Sequence, residues 1–402
     1  MSDTVEIVSL GHAGDGMTAD GRFLPYTVPG DVVRVPTAMR GAEIVTSGPM
    51  RVTPPCAHFG HCGGCALQHV EMSVYLAWKH DLIVSALAQR GFADVAVGDI
   101  RAVPPHSRRR AMLKARKSRG AVQLGFYEPE SRNLVDIRQC PILVPAIASA
   151  LLKLRAALAH LLREGDGAEL HITALDAGLD LSLKWKRGHS VNVLMDLGAF
   201  ARDLDLVRLT WNGDIVAVAR DPVLRIGTHG VLLPPEPFLQ PTRQGEKILQ
   251  NLVREGVAEA KSVADLFSGC GTFALSLGGA QSLYAAEDNE AMLKALDAAA
   301  RKEGTRVRSE KRDLFRRPLF PVELKAFDAV IIDPPRPGAK AQAEQLAQSA
   351  VPRIVYVSCS PASFARDARL LCEGGYHIRR ITPVDQFLWS PHVELVAVLE
   401  RG

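Results

Sequence analysis

Short apolar runs separated by glycine open the chain. Residues 4–50 carry VEIVSLG, GRFLPYTVP, GDVVRVPT and GAEIVTSG in turn, a spacing that predicts a small β-barrel of the OB type. After Pro54-Pro55 the period lengthens. From about residue 70 to residue 90, Tyr75, Trp78, Leu82 and Ala86 recur at three- and four-residue steps. Ile83 and Leu87 widen the same face, and Gly91 closes the helix. In SRRRAMLKARKSRGAVQLGFYEPE the period falls to two: Ala111, Leu113 and Ala115 share one face, Arg110, Lys114 and Arg116 the other. Ser118-Arg119-Gly120 then turns the chain into a second strand, VQLGFYE. An amphipathic helix over residues 147–163 and more β-like segments continue to about residue 235.

The last third changes character. SVADLF, SLYAAE, FDAVIID and RIVYVSC alternate with Ala/Leu-rich helical stretches, which predicts an α/β domain with a parallel sheet and crossover helices. DLFSGCGTFALSLG follows the first of these strands and predicts a turn opening a helix; Gly269, Gly271 and Ala274 fit the relaxed G-x-G-x-x-G/A fingerprint. Glu287 ends the next strand, where an acid can bond ribose hydroxyls. This pattern serves nicotinamide cofactors and S-adenosylmethionine alike, and a Gly-rich turn without ligand also satisfies it.

Composition narrows the class. With 402 residues, 47% hydrophobic and 23% charged, the chain reads as two or three globular domains. A formal net charge of +4 is mild, so a nucleic-acid partner has to be argued from clustering. Between Arg108 and Arg119 lie seven basic residues, a phosphate-tracking surface or simply a solvated face. Phe59, Phe126 and Tyr127 are candidate stacking partners or core. The start MSDTVEIVSLGHAGDG lacks a basic and an apolar signal region, and ILVPAIASALLKLRAALAHLL is interrupted by Pro145, Lys153, Arg155 and His160. The expectation is a cytoplasmic protein with no membrane partner. In a reducing compartment the seven cysteines are ligands or thiols. Three of them, Cys56, Cys62 and Cys65, stand at C-x5-C-x2-C in CAHFGHCGGC, a spacing open to zinc, with His58 or His61 as substitutes, or to an iron–sulfur cluster.

Two strand ends carry chemistry. In DAVIIDPPRPG, Asp333 sits at the carboxyl end of an apolar strand, facing the crevice where open α/β sheets bind ligands. Arg336 stands where amine methyltransferases carry an aromatic ring, which points to a substrate oxygen or phosphate, or to a surface ion pair. In VSCSPASFARD, Ser360 and Pro361 read as N-cap and first helical position, so the helix dipole favours a Cys359 thiolate; a small buried hydrophobe is the bland alternative. A thiolate beside a methyl donor has one well-motivated role. Added to uracil C6 it makes C5 nucleophilic, and a base must then remove the C5 proton. Glu394 in SPHVELVAVLER opens the last strand and supplies that carboxylate.

The chain resembles the bacterial uracil-C5 RNA methyltransferases, most closely the iron–sulfur branch acting on 23S rRNA. The resemblance runs through nearly the whole length: an N-terminal barrel of the TRAM type, CAHFGHCGGCALQH, SRRRAMLK, VDIRQCPIL, FLQPT, DLFSGCGTF, DPPRPG, VSCSP and HVEL. It implies Cys359 as nucleophile and Glu394 as base. It implies that Gln240, Phe267, Thr272, Glu287, Asp313 and Asp333 line an S-adenosylmethionine pocket. Cys56, Cys62, Cys65 and Cys140 would hold a 4Fe–4S cluster. Thr242, Thr272 and Asp313 depart from amides common in the family. The implied architecture is a TRAM-like RNA-binding barrel over residues 1–52, a mixed α+β central domain with cluster and basic hairpin over 53–235, and a Rossmann-like methyltransferase domain over 236–402. The expected partner is RNA, with 23S rRNA ahead of tRNA, for a monomer with no protein partner. Two other readings stay open: a non-catalytic RNA-binding or redox-sensing iron–sulfur protein, and a nicotinamide-linked oxidoreductase.

Overall fold

The computed structural model describes residues 3–35, 42–278 and 282–402; Pro36, Thr37 and Gly41 of the opening runs lie outside them. The first strands pair antiparallel in the order Phe23–Leu24, Gly16–Thr18, Asp3–Leu10, Val32–Val35, Glu43–Thr46. Ile7, Leu24 and Val33 fill a small core. Among the described residues no pairing joins the two outer strands, so the expected barrel appears here as an open five-stranded sheet.

A seven-stranded sheet forms the middle: Asp214–Val218, Leu206–Trp211, Gly178–Trp185, Gly167–Leu175, Arg110–Ser118, Ala121–Tyr127, Leu134–Asp136. Only Gly178–Trp185 and Leu206–Trp211 are parallel, and the helix Val191–Asp203 connects them. The helix Pro145–Leu161 drives Ile147, Leu151, Leu154 and Leu158 into the core shared with Leu113, Leu170, Leu183 and Trp211. It starts earlier than the hydrophobic period predicts because Pro145 occupies the first turn, where its missing N–H costs nothing.

The basic hairpin is mostly internal bracing. Of its seven basic residues only Arg116 and Arg119 are exposed. Arg109 is buried, donating to the Gln240 carbonyl at 3.0 Å and pairing with Glu246 at 2.5 Å. Arg108 donates to the Arg110 carbonyl at 3.0 Å, and Arg110 to the Leu239 carbonyl at 2.5 Å. Lys114 pairs with Glu169, and Lys117 reaches the Ala159 and Leu162 carbonyls at the end of the helix Pro145–Leu161. Guanidinium groups here satisfy backbone carbonyls of the segment that leads into the site. The run is therefore no continuous phosphate clamp.

The last third forms an eight-stranded sheet in the order Val307–Lys311, Ser282–Glu287, Ser262–Leu266, Ala329–Ile332, Arg353–Ser358, Glu394–Arg401, Tyr376–Asp385, Arg101–Ala102. The first five are parallel, as the strand–helix alternation predicts; Glu394–Arg401 runs against its neighbours. Where the glycine fingerprint predicts a helix, there is a single 3₁₀ turn, Ala274–Ser276. Phe267, Gly269 and Gly271 all have positive φ (62°, 56° and 90°), which holds the preceding loop out of helical geometry.

An early segment completes this sheet. The helix Met72–Ala88 buries Ile83 and Leu87 among Phe364, Leu371 and Ile381, and Arg101–Ala102 adds the edge strand. The stretch from residue 72 to 102, expected in the middle domain, packs on the C-terminal one. Its anchor is polar: Lys79, fully buried, pairs with the equally buried Asp385, which also accepts from Tyr75 Oη at 2.7 Å. Burial drags the Lys79 ammonium down to about 8, against the pull of Asp385. Removing one partner leaves the other charge stranded. Lys79→Met is expected to lower stability by about 3–5 kcal/mol in urea unfolding, far more than a surface lysine change.

Candidate active site

Strand register brings the chemistry together. Arg353–Ser358 lies between Ala329–Ile332 and Glu394–Arg401, with Tyr356 opposite Ile332 and Ser358 opposite Leu395. The next residues along, Asp333, Cys359 and Glu394, therefore meet at one sheet edge. Ser360 caps the helix Pro361–Glu373, its Oγ accepting from the Ser363 N–H at 3.4 Å, with Pro361 in the first turn. Both positions are as the sequence pattern predicts.

The electrostatics are not. Burial, then Glu394 and Asp333, push the Cys359 thiol up to about 11, and Arg336 offsets only part of this. Burial first, and then the two carboxyls, outweigh the helix terminus and Arg336, and the balance favours the thiol. The carboxyls are perturbed in turn. Burial lifts Glu394 to about 7 while Gln386 holds it down, and burial with Glu394 and Asp265 raises Asp333. Gln386 Nε2 donates to Glu394 Oε2 at 2.8 Å and to Gln240 Oε1 at 2.8 Å; Gln240 Nε2 reaches Asp333 Oδ2 at 3.4 Å. Four side chains thus run in a hydrogen-bonded line behind the thiol.

The neighbouring strand ends form a cradle. Burial raises Asp265 to about 7; its Oδ2 accepts from the Ala274 N–H at 2.8 Å, while Oδ1 has no partner among the described residues. Ser268 Oγ is buried and unpartnered in the same sense. Glu287 accepts from the Gly269 N–H at 2.9 Å and the Asn289 N–H at 2.8 Å, fixing the loop shape. Phe267 packs its ring 5.4 Å from that of Phe315, and Asp313 turns the chain there by accepting from the Phe315 N–H at 3.0 Å. The Thr272 carbonyl accepts from Gln250 at 3.1 Å. Strained Phe267, unpaired buried oxygens and clustered carboxyls suit a polar, cationic ligand. Asp265, the charged residue in an apolar strand, and Gln386, just past a strand end, carried no further signal in the sequence, and Arg109 was hidden in the basic run.

Cys56, Cys62, Cys65 and Cys140 line a separate cavity with His58, Phe59, Gln68 and Phe126. Burial raises Cys62 and Cys140 and takes Cys65 to about 12, and neighbouring thiols add to this. Among the described residues no group of three or more His, Cys, Asp or Glu is arranged to hold a metal ion. His58 is committed elsewhere, its Nε2 accepting from the Arg138 N–H at 3.0 Å. A large groove of about 1030 Å³ lies elsewhere again, on the central sheet, lined by Lys114, Arg116, Tyr127, Lys184, Trp185 and Lys186. Its lining contains no cysteine, whereas Cys359, Asp333 and Glu394 meet at the sheet edge. Among the described residues no helix is long and apolar enough to cross a membrane.

A cysteine, an aspartate and a glutamate on adjacent strand ends sit where open α/β sheets bind their ligands. The profile described as tRNA (Uracil-5-)-methyltransferase matches residues 235–402. A Brucella suis protein named as an RNA methyltransferase is 43% identical over 99% of this chain and 98% of its own. The 23S rRNA (uracil(1939)-C(5))-methyltransferase of Halomonas elongata is 32% identical over 98% of this chain and 89% of its own. The crystal structure of the Pyrococcus abyssi tRNA (uracil-54, C5)-methyltransferase with S-adenosyl-L-homocysteine shares the fold, with a TM-score of 0.76 at 24% identity, covering 99% and 100% of the two chains. The chain belongs to the RNA uracil-5-methyltransferase family.

Raised carboxyls make the ligand-free site costly at high pH. Because Glu394 titrates near 7 when folded, above its ordinary 4.5, the folded state holds the proton more tightly, and stability declines as pH climbs between those values. Glu394→Gln removes that decline. It is expected to stabilise the ligand-free protein at pH 8 by roughly 1–3 kcal/mol and hardly at all at pH 4, measured by thermal unfolding at both pH values.

Proposed function

We propose that this enzyme makes 5-methyluridine in RNA from S-adenosylmethionine, through a covalent Cys359 adduct, with 23S rRNA as the substrate. The observation that carries the reading is the meeting of Cys359, Glu394 and Asp333 at one sheet edge. The unpartnered Asp265 Oδ1 and Ser268 Oγ and the clustered carboxyls fit a cationic sulfonium donor with hydroxyl and amine groups, held by Gln240, Phe267, Thr272, Glu287, Asp313 and Asp333. When bound, the donor supplies an electrophilic methyl group.

The chain's residues do the rest. Cys359 Sγ forms a bond to uracil C6, and the electrons of the C5=C6 bond make C5 nucleophilic. Once C5 carries the methyl group, Glu394 takes the C5 proton, the double bond re-forms, and Sγ leaves as thiolate. Arg336 lowers the proton affinity of Cys359, and a cation seated among the carboxyls lowers it further. The target base has to leave its stack to reach the sulfur. The groove with Lys114, Arg116, Lys184 and Lys186 beside exposed Tyr127 suits the flanking RNA. Phe59 and Phe126, by contrast, face the cysteine cavity.

The full-length likeness to a 23S rRNA enzyme favours ribosomal over transfer RNA. Cys56, Cys62, Cys65 and Cys140 are proposed as ligands of a 4Fe–4S cluster. What speaks for it is that the four thiols line one cavity, and four thiolates are the usual ligand set of such a cluster. The cluster is proposed as a scaffold, since methyl transfer needs no electrons.

Cys359→Ala is expected to lower 5-methyluridine formation by roughly a thousandfold or more while S-adenosylmethionine still binds by calorimetry; full activity would sink the mechanism. Mass-spectrometric mapping of 5-methyluridine in rRNA and tRNA from cells lacking the protein decides the substrate: loss from tRNA alone overturns the ribosomal assignment. Anaerobically purified protein is expected to be brown, with iron and labile sulfide. A colourless protein containing zinc and no iron refutes the cluster.

A further inference from the structure

The geometry points to Gln386 as a positioning residue for the second half of the reaction: its amide keeps Glu394 aimed and ionised for proton removal and ties it to the Gln240–Asp333 side of the pocket. The inference rests on the covalent mechanism proposed above, but it concerns a residue which that mechanism does not use.

Gln386 follows the strand Tyr376–Asp385 and is 1% exposed. Its backbone is pinned on both sides. Asp385 accepts from Tyr75 Oη at 2.7 Å, from buried Lys79 and from the Phe387 N–H at 3.1 Å. The Phe387 carbonyl accepts from Lys79 at 3.1 Å, and the Trp389 N–H donates to Tyr75 Oη at 2.8 Å. The side chain is boxed in as well. A Cβ on Gly245, in the first turn of the helix Arg243–Gly256, would stand 2.5 Å from Gln386 Oε1 and 2.7 Å from its Cβ. That contact leaves Oε1 without a hydrogen-bond partner among the described residues and sends both N–H groups to Glu394 and Gln240, each at 2.8 Å. The reversed amide would set an oxygen against two acceptors, so the orientation follows from the partners.

Among the described residues no other group near Glu394 takes over this task. Asp333 and Cys359 beside it are acids, and Asp265 lies beyond Asp333. Asp385 is committed to Lys79, and Glu246 on the helix Arg243–Gly256 to Arg109. On the preceding loop, burial and the charges of Arg336, Lys79 and Arg108 keep His392 neutral, down to about 4. Gln386 is the hydrogen-bond donor that opposes the burial of Glu394. An amide donor favours the carboxylate over the acid, so it matters most when Glu394 accepts the C5 proton and least when Cys359 adds to C6.

The test uses the full-length protein and an unmodified 23S rRNA transcript. Gln386→Met keeps the shape and removes the donor. It is expected to lower kcat about tenfold or more with little change in KM for S-adenosylmethionine. The acid limb of the rate profile should move up by about one pH unit. A covalent enzyme–RNA species should persist on denaturing gels where the wild type shows none. Gln386→Glu, which sets a second carboxyl against Glu394, should move the limb further and decides the matter if the methionine variant does not fold. A transcript carrying 5-fluorouridine has no C5 proton to lose. It should trap wild type and Gln386→Met equally fast, because addition does not need Gln386. Wild-type acid limbs and no adduct build-up in the folded variants overturn the inference, whatever their overall rate. Failure of the wild type to be trapped by the fluorinated transcript overturns the covalent mechanism instead, so the two failures are distinguishable.

Discussion

Three carboxyl groups share one edge of an apolar sheet, and the rest of the molecule is arranged around the cost of holding them there. Asp265, Asp333 and Glu394 sit at strand ends in a medium that disfavours charge, and each raises the proton affinity of its neighbours or of Cys359. Burial and proximity favour the protonated form of these carboxyls, and a nearby cation would shift them towards the ionised form. The bracing is visible: Arg109 grips both the Gln240 carbonyl and Glu246, and Lys79 with Tyr75 locks Asp385 one residue from the amide that holds Glu394.

This division of labour explains what could be read in advance. The parallel strands and the cap before the helix Pro361–Glu373 were legible because short-range pattern dictates them: apolar runs of strand length, and Ser-Pro at a helix start. The placing of Cys359 and Glu394 at neighbouring strand ends followed, since strand ends gather side chains wherever the sheet is wound. The helix expected after the glycine fingerprint did not form, because three residues at positive φ shape a loop and leave only the turn Ala274–Ser276.

What stayed hidden was long-range and polar. In the sequence Arg109 is one of a run of seven basic residues; only the fold shows it buried under the segment that carries Gln240. Lys79 is likewise fully enclosed, and its partner Asp385 lies far along the chain. Charge runs and helical wheels describe faces, and a buried cation is defined by a partner that sequence distance conceals. Thiol acidity failed for a related reason. A helix terminus is a local feature, whereas the carboxyls that outweigh it come from other strands.

The helix Met72–Ala88 has a consequence for how the chain comes into being. Its Tyr75 finds Asp385 across 310 residues of sequence, and its Ile83 and Leu87 pack into the C-terminal layer. Chains are made from the N-terminus, so this helix leaves the ribosome with Ile83 and Leu87 uncovered and waits until almost the whole protein has been synthesised. Vectorial, domain-by-domain folding is closed to it. The catalytic layer becomes complete only when the oldest and youngest parts of the polypeptide meet, which leaves a long interval in which exposed apolar surface invites chaperones or aggregation.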